Sequence, residues 1–158
     1  MSHRLIIFFL FISFFKNTFA QQPAEAIPGF VFYHFNKKPF TDKDVQKGKK
    51  AFFVFFDSDC DHCQRAIATI GQHYQEFNHA MIYLVSLDSQ DKMQYFMKTY
   101  GKELINRPNV MLLQDPRNDF LIKFRPRKYP SMFLYSETGT ILIYEDNPEN
   151  IFRIFKQL

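Results

Sequence analysis

Residues 52–67, FFVFFDSDCDHCQRAI, contain both cysteines of the 158-residue chain, Cys60 and Cys63. The apolar run that precedes them predicts a strand buried between two layers. The stretch that follows predicts a helix, because apolar residues recur at intervals of three and four, at Cys63, Ile67, Ile70, Tyr74 and Phe77. We therefore expect Cys63 to face the core. Cys60 should lie at the helix N-terminus, where free backbone N–H groups favour a thiolate.

Two cysteines this close together could serve three purposes. A disulfide between Cys60 and Cys63 would close a loop of four residues and stabilise the fold by only about 2 kcal/mol. A zinc finger with His73 and His79 would need a longer gap than the one after Cys63, and a copper site with His62, His73 or His79 is the better metal alternative. Thiol–disulfide exchange needs an exposed nucleophile and a shielded partner, and a strand-to-helix junction supplies both.

Strand and helix patterns alternate along the rest of the chain. Apolar runs predict strands over 30–35, 51–56, 80–87 and 110–113, and a hairpin of strands 131–136 and 140–144 closed by the turn at 137–139. Helices are predicted over 61–78, 89–104 and 148–158, with a short irregular helix around 120–124. Strands that alternate with helices indicate an α/β fold with a central sheet covered on both faces.

The N-terminus has the composition of an export signal. A basic residue, an apolar run over 5–15 and a small-residue cleavage site at 18–20 predict a signal peptide over residues 1–20, a linker over 21–27 and one domain over 28–158. An uncleaved membrane anchor or a core helix are the alternatives, although the run is shorter than the about 20 apolar residues of a spanning helix. We expect a periplasmic or otherwise extracytoplasmic protein.

The net charge does not indicate a nucleic-acid partner. Removal of residues 1–20 takes away Arg4 and Lys16, so the formal net charge falls from +4 to +2. The remaining basic residues are scattered, apart from a cluster at 125–128 that is typical of a solvated loop. With only two cysteines, the 21 phenylalanines must supply most of the core.

Three stretches resemble the thioredoxin-like superfamily, in particular the exported TlpA/ResA-type thiol–disulfide oxidoreductases. They are KGKKAFFVFFDSDCDHC at 47–63, IYLVSLDSQDKMQYF at 82–96 and KYPSMFLYSETGTIL at 128–142. The resemblance extends over residues 28–158. It implies a thioredoxin fold, in which a central mixed sheet has helices on both faces and ends in a β-hairpin and a helix.

The resemblance also implies roles for individual residues. Cys60 would attack a client disulfide, and Cys63 would resolve the mixed disulfide. Pro130 matches the family's cis-proline, and Tyr129 before it would help to form the substrate groove. The redox-active pair Cys60–Cys63 would need no metal or organic cofactor. The implied partners are client proteins with disulfides and a membrane-embedded dithiol electron donor, and the chain is expected to be a monomer.

The sequence departs from the family around the dithiol. Asp59 stands where thioredoxins have Trp, and Asp61 and His62 separate the cysteines. The family's buried acids fall at Val54 and Ala66, so the usual proton acceptor of the buried thiol is missing. A protonated His62 would stabilise the thiolate and make the couple more oxidising, whereas the neighbouring aspartates would oppose it.

We expect the dithiol to reduce client disulfides rather than to form them. Two alternatives on the same fold stay open. A copper-binding chaperone would use the cysteines as metal ligands, although chaperones of this type have one more residue between them. A peroxiredoxin-like peroxidase would need Thr or Ser three residues before the reactive cysteine, and that position is Asp57.

Overall fold

The computed structural model describes residues 22–158, so the signal segment predicted over 1–20 lies outside the described residues. The strands are β1 Val31–Tyr33, β2 Pro39–Thr41, β3 Lys50–Phe55, β4 Ala80–Ser86, β5 Val110–Gln114, β6 Ser131–Tyr135 and β7 Ile141–Glu145. The α-helices are α1 Asp61–Gln72, α2 Gln90–Tyr100 and α3 Phe152–Phe155. A π-helical turn covers Phe120–Phe124.

All seven strands form one sheet in the order β2-β1-β5-β4-β3-β6-β7. The three central strands β3, β4 and β5 are parallel, whereas β6 and β7 on one side and β1 and β2 on the other are antiparallel to their neighbours. β4 is buried along its whole length. The prediction of a central mixed sheet with a C-terminal hairpin is therefore confirmed.

Each face of the sheet covers a separate apolar cluster. The face that carries Phe52 and Val54 packs against side chains of α1, α2 and α3. The opposite face, which carries Phe53 and Phe55, packs against the π-helical turn and the N-terminal segment around Phe30. Because successive residues of β3 point to opposite faces, its apolar residues 51–55 pack on both sides of the sheet.

Some elements differ from the sequence prediction. β2 was not predicted, because its three residues begin with proline and have no apolar alternation to mark them. The first predicted helix ends at Gln72 and continues as a 3-10 turn over Tyr74–Phe77. The second ends at Tyr100, where the N–H of Gly101 bonds to the Met97 carbonyl, and a 3-10 turn over Lys102–Leu104 follows. The apolar spacing continues through both breaks, so periodicity alone does not reveal them.

The segment predicted as a linker over 21–27 contacts the domain. Ala24 is buried, and its N–H bonds to the Phe124 carbonyl at 2.9 Å. Ala26 forms an isolated β-bridge with Thr140 beside β7. These contacts attach residues 24–27 to the π-helical turn and to the segment just before β7. Among residues 22–158, none of the helices combines the length and the hydrophobicity of a membrane-spanning segment.

Candidate redox site

Cys60 is the last residue before α1 and caps its N-terminus. The N–H of Cys60 bonds to the Asp57 carbonyl at 3.2 Å, which closes the turn that leaves β3. The Cys60 sulfur then accepts the N–H of Cys63 at 3.4 Å, and the Cys60 carbonyl accepts the N–H of Gln64 at 3.1 Å. This sulfur is partly exposed and lies against free N–H groups at the positive end of the helix, an arrangement that stabilises a thiolate.

Cys63 is fully buried in the first turn of α1. It packs in the apolar cluster with Ile67 and Ile70, which lie on the same helical stripe. Burial raises the pKa of the Cys63 thiol well above its usual value, although the backbone N–H of Asp57 beside it acts in the opposite direction. Both thiols are free in this structure. The pair therefore combines an accessible sulfur and a shielded one that stays protonated near neutral pH.

The two thiols should react with alkylating reagents at different rates. We expect iodoacetamide to label Cys60 at least about tenfold faster than Cys63 at pH 7.5, because Cys63 is buried and its raised pKa leaves almost no thiolate. Peptide mapping of reduced protein after short labelling times measures the ratio. Urea-unfolded protein is the control, in which the two rates should converge. Faster labelling of Cys63 in the folded protein would contradict the assignment.

Tyr129 and Pro130 lie at the same end of the sheet as the dithiol. β6 pairs with β3 so that Ser131 lies opposite Phe55, which places the loop before β6 beside the turn that leads to Cys60. The Tyr129–Pro130 peptide bond is cis. The Tyr129 ring stacks on Phe55 at 4.8 Å between centroids, and burial, together with nearby negative charge, raises the pKa of Tyr129 to about 12.

A cavity joins the two predicted parts of the site. His62, between the cysteines, and Tyr129, before the cis-proline, both line a depression of about 290 Å³. Lys128, Asp146 and Glu149 also line it. The structure thus brings the helix that carries the dithiol close to the loop that is predicted to form part of a substrate groove.

Acidic side chains hold the turn before Cys60 through hydrogen bonds and one ion pair. The Asp57 carboxylate accepts the N–H of Asp59 at 2.8 Å, and the Asp59 carboxylate pairs with Lys92 at 2.7 Å. Asp88, which follows β4, accepts the N–H of Ser58 at 2.8 Å. These bonds fix the loop between β3 and α1. Asp61 is exposed in the first turn of α1, where its charge is favourable for the helix.

His62 has a cationic neighbour that the sequence argument did not consider. Its Nδ1 atom lies 2.8 Å from the Arg65 guanidinium. A guanidinium only donates, so Nδ1 is the acceptor in this contact. The influence of a protonated His62 on the Cys60 thiolate stays a prediction. Arg65 adds a permanent positive charge one helical turn along from His62.

Two histidines that the metal alternatives would use, His73 and His79, are not grouped with the cysteines. His73 is at the C-terminal end of α1, where its ring packs against Phe155 at 5.0 Å and Phe152 at 5.4 Å between centroids. His79 is exposed just before β4. Within residues 22–158, no three His, Cys, Asp or Glu side chains are grouped so that they could hold a metal ion.

Three residues near the dithiol were missed by the sequence argument, namely Arg65, Asp88 and Lys92. Arg65 was detectable, since residues three apart on a helix are neighbours and His62 is three residues before it. Asp88 was also detectable, because the carboxyl ends of neighbouring parallel strands meet at one edge of the sheet. The pairing of Lys92 with Asp59 joins residues 33 positions apart and leaves no local signal.

Comparison with solved structures finds the same fold in several thioredoxin-like proteins. The thioredoxin domain of a thiol-disulfide oxidoreductase from Bacteroides vulgatus superposes with a TM-score of 0.69 at 20% identity, over 87% of this chain and 98% of that one. A secreted disulfide oxidoreductase from Mycobacterium tuberculosis, homologous to E. coli DsbE, gives 0.65 at 18% identity, over 82% and 96%. The exposed lipoprotein thioredoxin of Streptococcus pneumoniae gives 0.60 at 19%, over 82% and 99%.

No curated protein matches the chain, but a family model agrees with the structural result. The family model described as AhpC/TSA matches residues 23–143, which include both cysteines, the loop with Tyr129 and Pro130, and six complete strands of the sheet. The resemblance to the thioredoxin-like superfamily is thereby confirmed, and the chain belongs to the AhpC/TSA family.

Proposed function

We propose that the chain is an exported thiol–disulfide oxidoreductase that reduces disulfides of client proteins with Cys60 and Cys63. The observation that carries this proposal is the asymmetry of the pair. Cys60 is partly exposed at a helix N-terminus, and Cys63 is buried directly behind it with a raised pKa. An accessible nucleophile with a shielded resolving thiol is the arrangement that disulfide exchange requires.

The reaction consists of two exchange steps. The Cys60 thiolate attacks one sulfur of the client disulfide, so that a Cys60–client disulfide forms and the other client sulfur leaves and takes up a proton. Cys63 then loses its proton, and its thiolate attacks the Cys60 sulfur. The Cys60–Cys63 disulfide forms, and the second client thiol is released. In sum, two electrons and two protons pass from the dithiol to the client, and a second dithiol protein regenerates the reduced pair.

The electrostatics of the site favour the reducing direction. A couple becomes a strong oxidant when its reduced form is stabilised. Here the Cys63 thiolate is strongly disfavoured by burial. The aspartates around the Cys60 turn add negative charge, which also opposes a thiolate. We infer that the reduced form of this pair is less stabilised than the reduced form of an oxidising protein. The pair therefore passes its electrons to clients.

An insulin assay tests the proposed function. In the presence of dithiothreitol, the protein should accelerate the reduction of the insulin interchain disulfides, which is followed as turbidity of the released B chain. The Cys60→Ser variant should give only the rate of dithiothreitol alone. Equal rates for the wild type, Cys60→Ser and dithiothreitol alone would reject the proposal.

Arg65 should influence the reduction potential more than His62. We expect Arg65→Gln to make the couple more reducing by roughly 10–20 mV, because a permanent positive charge on the helix that carries the dithiol is lost and 30 mV corresponds to about 1.4 kcal/mol for two electrons. His62→Gln should have the smaller effect, since of the two side chains only the arginine guanidinium is charged at every working pH. Redox titration against glutathione measures both. A larger shift for His62→Gln would show that the imidazole carries the charge after all.

The site supports the two alternative functions, a peroxidase and a copper chaperone, less well. A peroxidase of the peroxiredoxin type would use a hydroxyl three residues before Cys60, but that residue is Asp57, whose carboxylate accepts the N–H of Asp59. For a copper chaperone, the nearest histidine is His62, and its Nδ1 faces the Arg65 guanidinium instead of a vacant site. Peroxide consumption and metal analysis of the purified protein would detect either activity.

Export and the partners belong to the same proposal. The sequence of residues 1–20 supports export, and one structural neighbour is described as secreted. In an oxidising compartment, a reductase needs a supply of electrons from across the membrane, and a membrane-embedded dithiol protein would provide it. We propose that the protein acts as a monomer on client disulfides, without nucleic acid, metal or organic cofactor. N-terminal sequencing of the exported protein would show where the signal is cleaved.

A further inference from the structure

A groove opens beside the dithiol on the side away from the cis-proline loop. It has a volume of about 520 Å³ and lies between the start of α1 and the face of α2 that runs from Asp91 to Tyr100. We call it the α2 groove, and the residues used below are Ser58, Asp59, Gln64, Asp91, Lys92 and Tyr95. It has no role in the proposed function.

The α2 groove is continuous with the turn that carries Cys60. Ser58 and Asp59 lie directly before the cysteine and form one wall. Gln64, on the other wall, donates its backbone N–H to the Cys60 carbonyl at 3.1 Å. A polypeptide attached to the Cys60 sulfur has two directions in which to leave the site, along the cis-proline loop or along this groove. A client chain that leaves in the second direction passes over the α2 groove.

The groove offers an aromatic face and an unpaired carboxylate. Asp91 and Tyr95 are four residues apart on α2, so they lie on one face of the helix. Tyr95 is 73% exposed, the most exposed of the large apolar side chains in the described part of the chain. Asp91 is exposed and forms no ion pair with any residue of 22–158. Lys92 beside it is bound to Asp59, so the one lysine in the groove is already neutralised.

The charges around the groove are mainly negative. Asp57, Asp59, Asp61, Asp88 and Asp91 all lie in the turn before α1 or at the starts of α1 and α2. The positive charges in these segments are Lys92 and Arg65. Arg65 is bound to His62, which lies on the cis-proline side of the dithiol. The field over the α2 groove therefore attracts a cation and repels an anion.

We propose that the α2 groove binds the side chain of an arginine or lysine next to the client cysteine that Cys60 attacks. This inference rests on the proposed function and adds a substrate preference to it. The aliphatic stem of the basic side chain lies on the Tyr95 ring, and its charged end lies near the Asp91 carboxylate. A cation over an aromatic ring and a single exposed ion pair are each a modest attraction, and together they give a preference of about five- to tenfold.

A pair of disulfide peptides tests the preference. Two peptides are made that differ only in the residue flanking one cysteine, arginine in the first and glutamine in the second. We expect wild-type protein to reduce the arginine peptide about five- to tenfold faster in kcat/KM. Tyr95→Leu and Asp91→Asn should each lower this ratio to about two- to threefold, chiefly by slowing the reduction of the arginine peptide. The ratio of the wild type should also fall as salt is added.

Glu76→Gln is the matched control. Glu76 is an exposed acid in the 3-10 turn beyond the far end of α1, and its variant should keep the preference of the wild type. Equal rates for the two peptides with wild-type protein would overturn the inference and leave the proposed function intact. A preference that survives undiminished in both Tyr95→Leu and Asp91→Asn would also overturn it, since the general field would then be the cause. If neither peptide is reduced, the proposed function itself fails.

Discussion

The Cys63→Ser variant should trap its clients in covalent complexes. With the buried thiol removed, Cys60 can still attack a client disulfide, but no thiol of the protein is positioned to displace the client. We expect turnover in the insulin assay to fall by about 100-fold or more, because an intramolecular thiol is replaced by dilute external thiol. At the same time a mixed disulfide should accumulate, which non-reducing electrophoresis detects as a species of higher mass that disappears on reduction.

The roles of the two cysteines are separated by comparing the single variants. Cys60→Ser should form no complex, because the sulfur of Cys63 is fully buried and a client disulfide cannot reach it. The conservative exchange of sulfur for oxygen at position 63 keeps the size of the side chain, so the fold should be retained. If Cys60→Ser formed the complex and Cys63→Ser did not, the roles of nucleophile and resolving thiol would have to be exchanged.

The position of the dithiol could be predicted from local patterns. An apolar strand followed by a helical stripe places the first cysteine at a junction and the second in the core, and both statements depend only on residues close together in the chain. The central strands could be predicted for a related reason, since β3 and β4 are apolar at nearly every position. Such runs are typical of strands covered on both faces.

The surroundings of the dithiol depend on contacts that the sequence does not encode locally. Lys92 reaches Asp59, and Asp88 reaches the N–H of Ser58, because β3 and β4 are neighbours with their carboxyl ends together. Sequence patterns indicate that two strands are parallel but not which side chains then meet. Arg65 is a different case, because it lies three residues after His62 on the same helix and its contact with the imidazole is local.

The aromatic face of the sheet connects the stability of the fold with the dithiol. Phe53 and Phe55 lie on the face of β3 opposite α1 and pack among rings from the π-helical turn and the N-terminal segment. Phe55 also supports the Tyr129 ring beside the site. Because β3 leads directly into the Cys60 turn, the packing on this face determines where the end of the strand and the cis-proline loop lie.

Phe53→Ala should have the largest effect on stability. The Phe53 ring is fully buried and lies within 6 Å of the rings of Phe30, Tyr83 and Phe124. We expect the free energy of unfolding to fall by about 3–5 kcal/mol, because apolar burial is lost and the surrounding aromatic side chains cannot close the cavity. The melting temperature should fall by roughly 10 °C or more for a chain of this size. Urea unfolding of reduced protein, followed by circular dichroism, measures the change.

Phe152→Ala is the control with the same chemical change at an exposed position. The Phe152 ring is 51% exposed and contacts His73 and Phe155 at the surface. Its loss removes little buried area, so the free energy of unfolding should fall by only about 1 kcal/mol. If both variants lost the same stability, the face that carries Phe53 would not be the main core of the fold. The end of β3 and the Cys60 turn would then be held mainly by the cluster on the opposite face, which contains Phe52, Val54 and side chains of the helices.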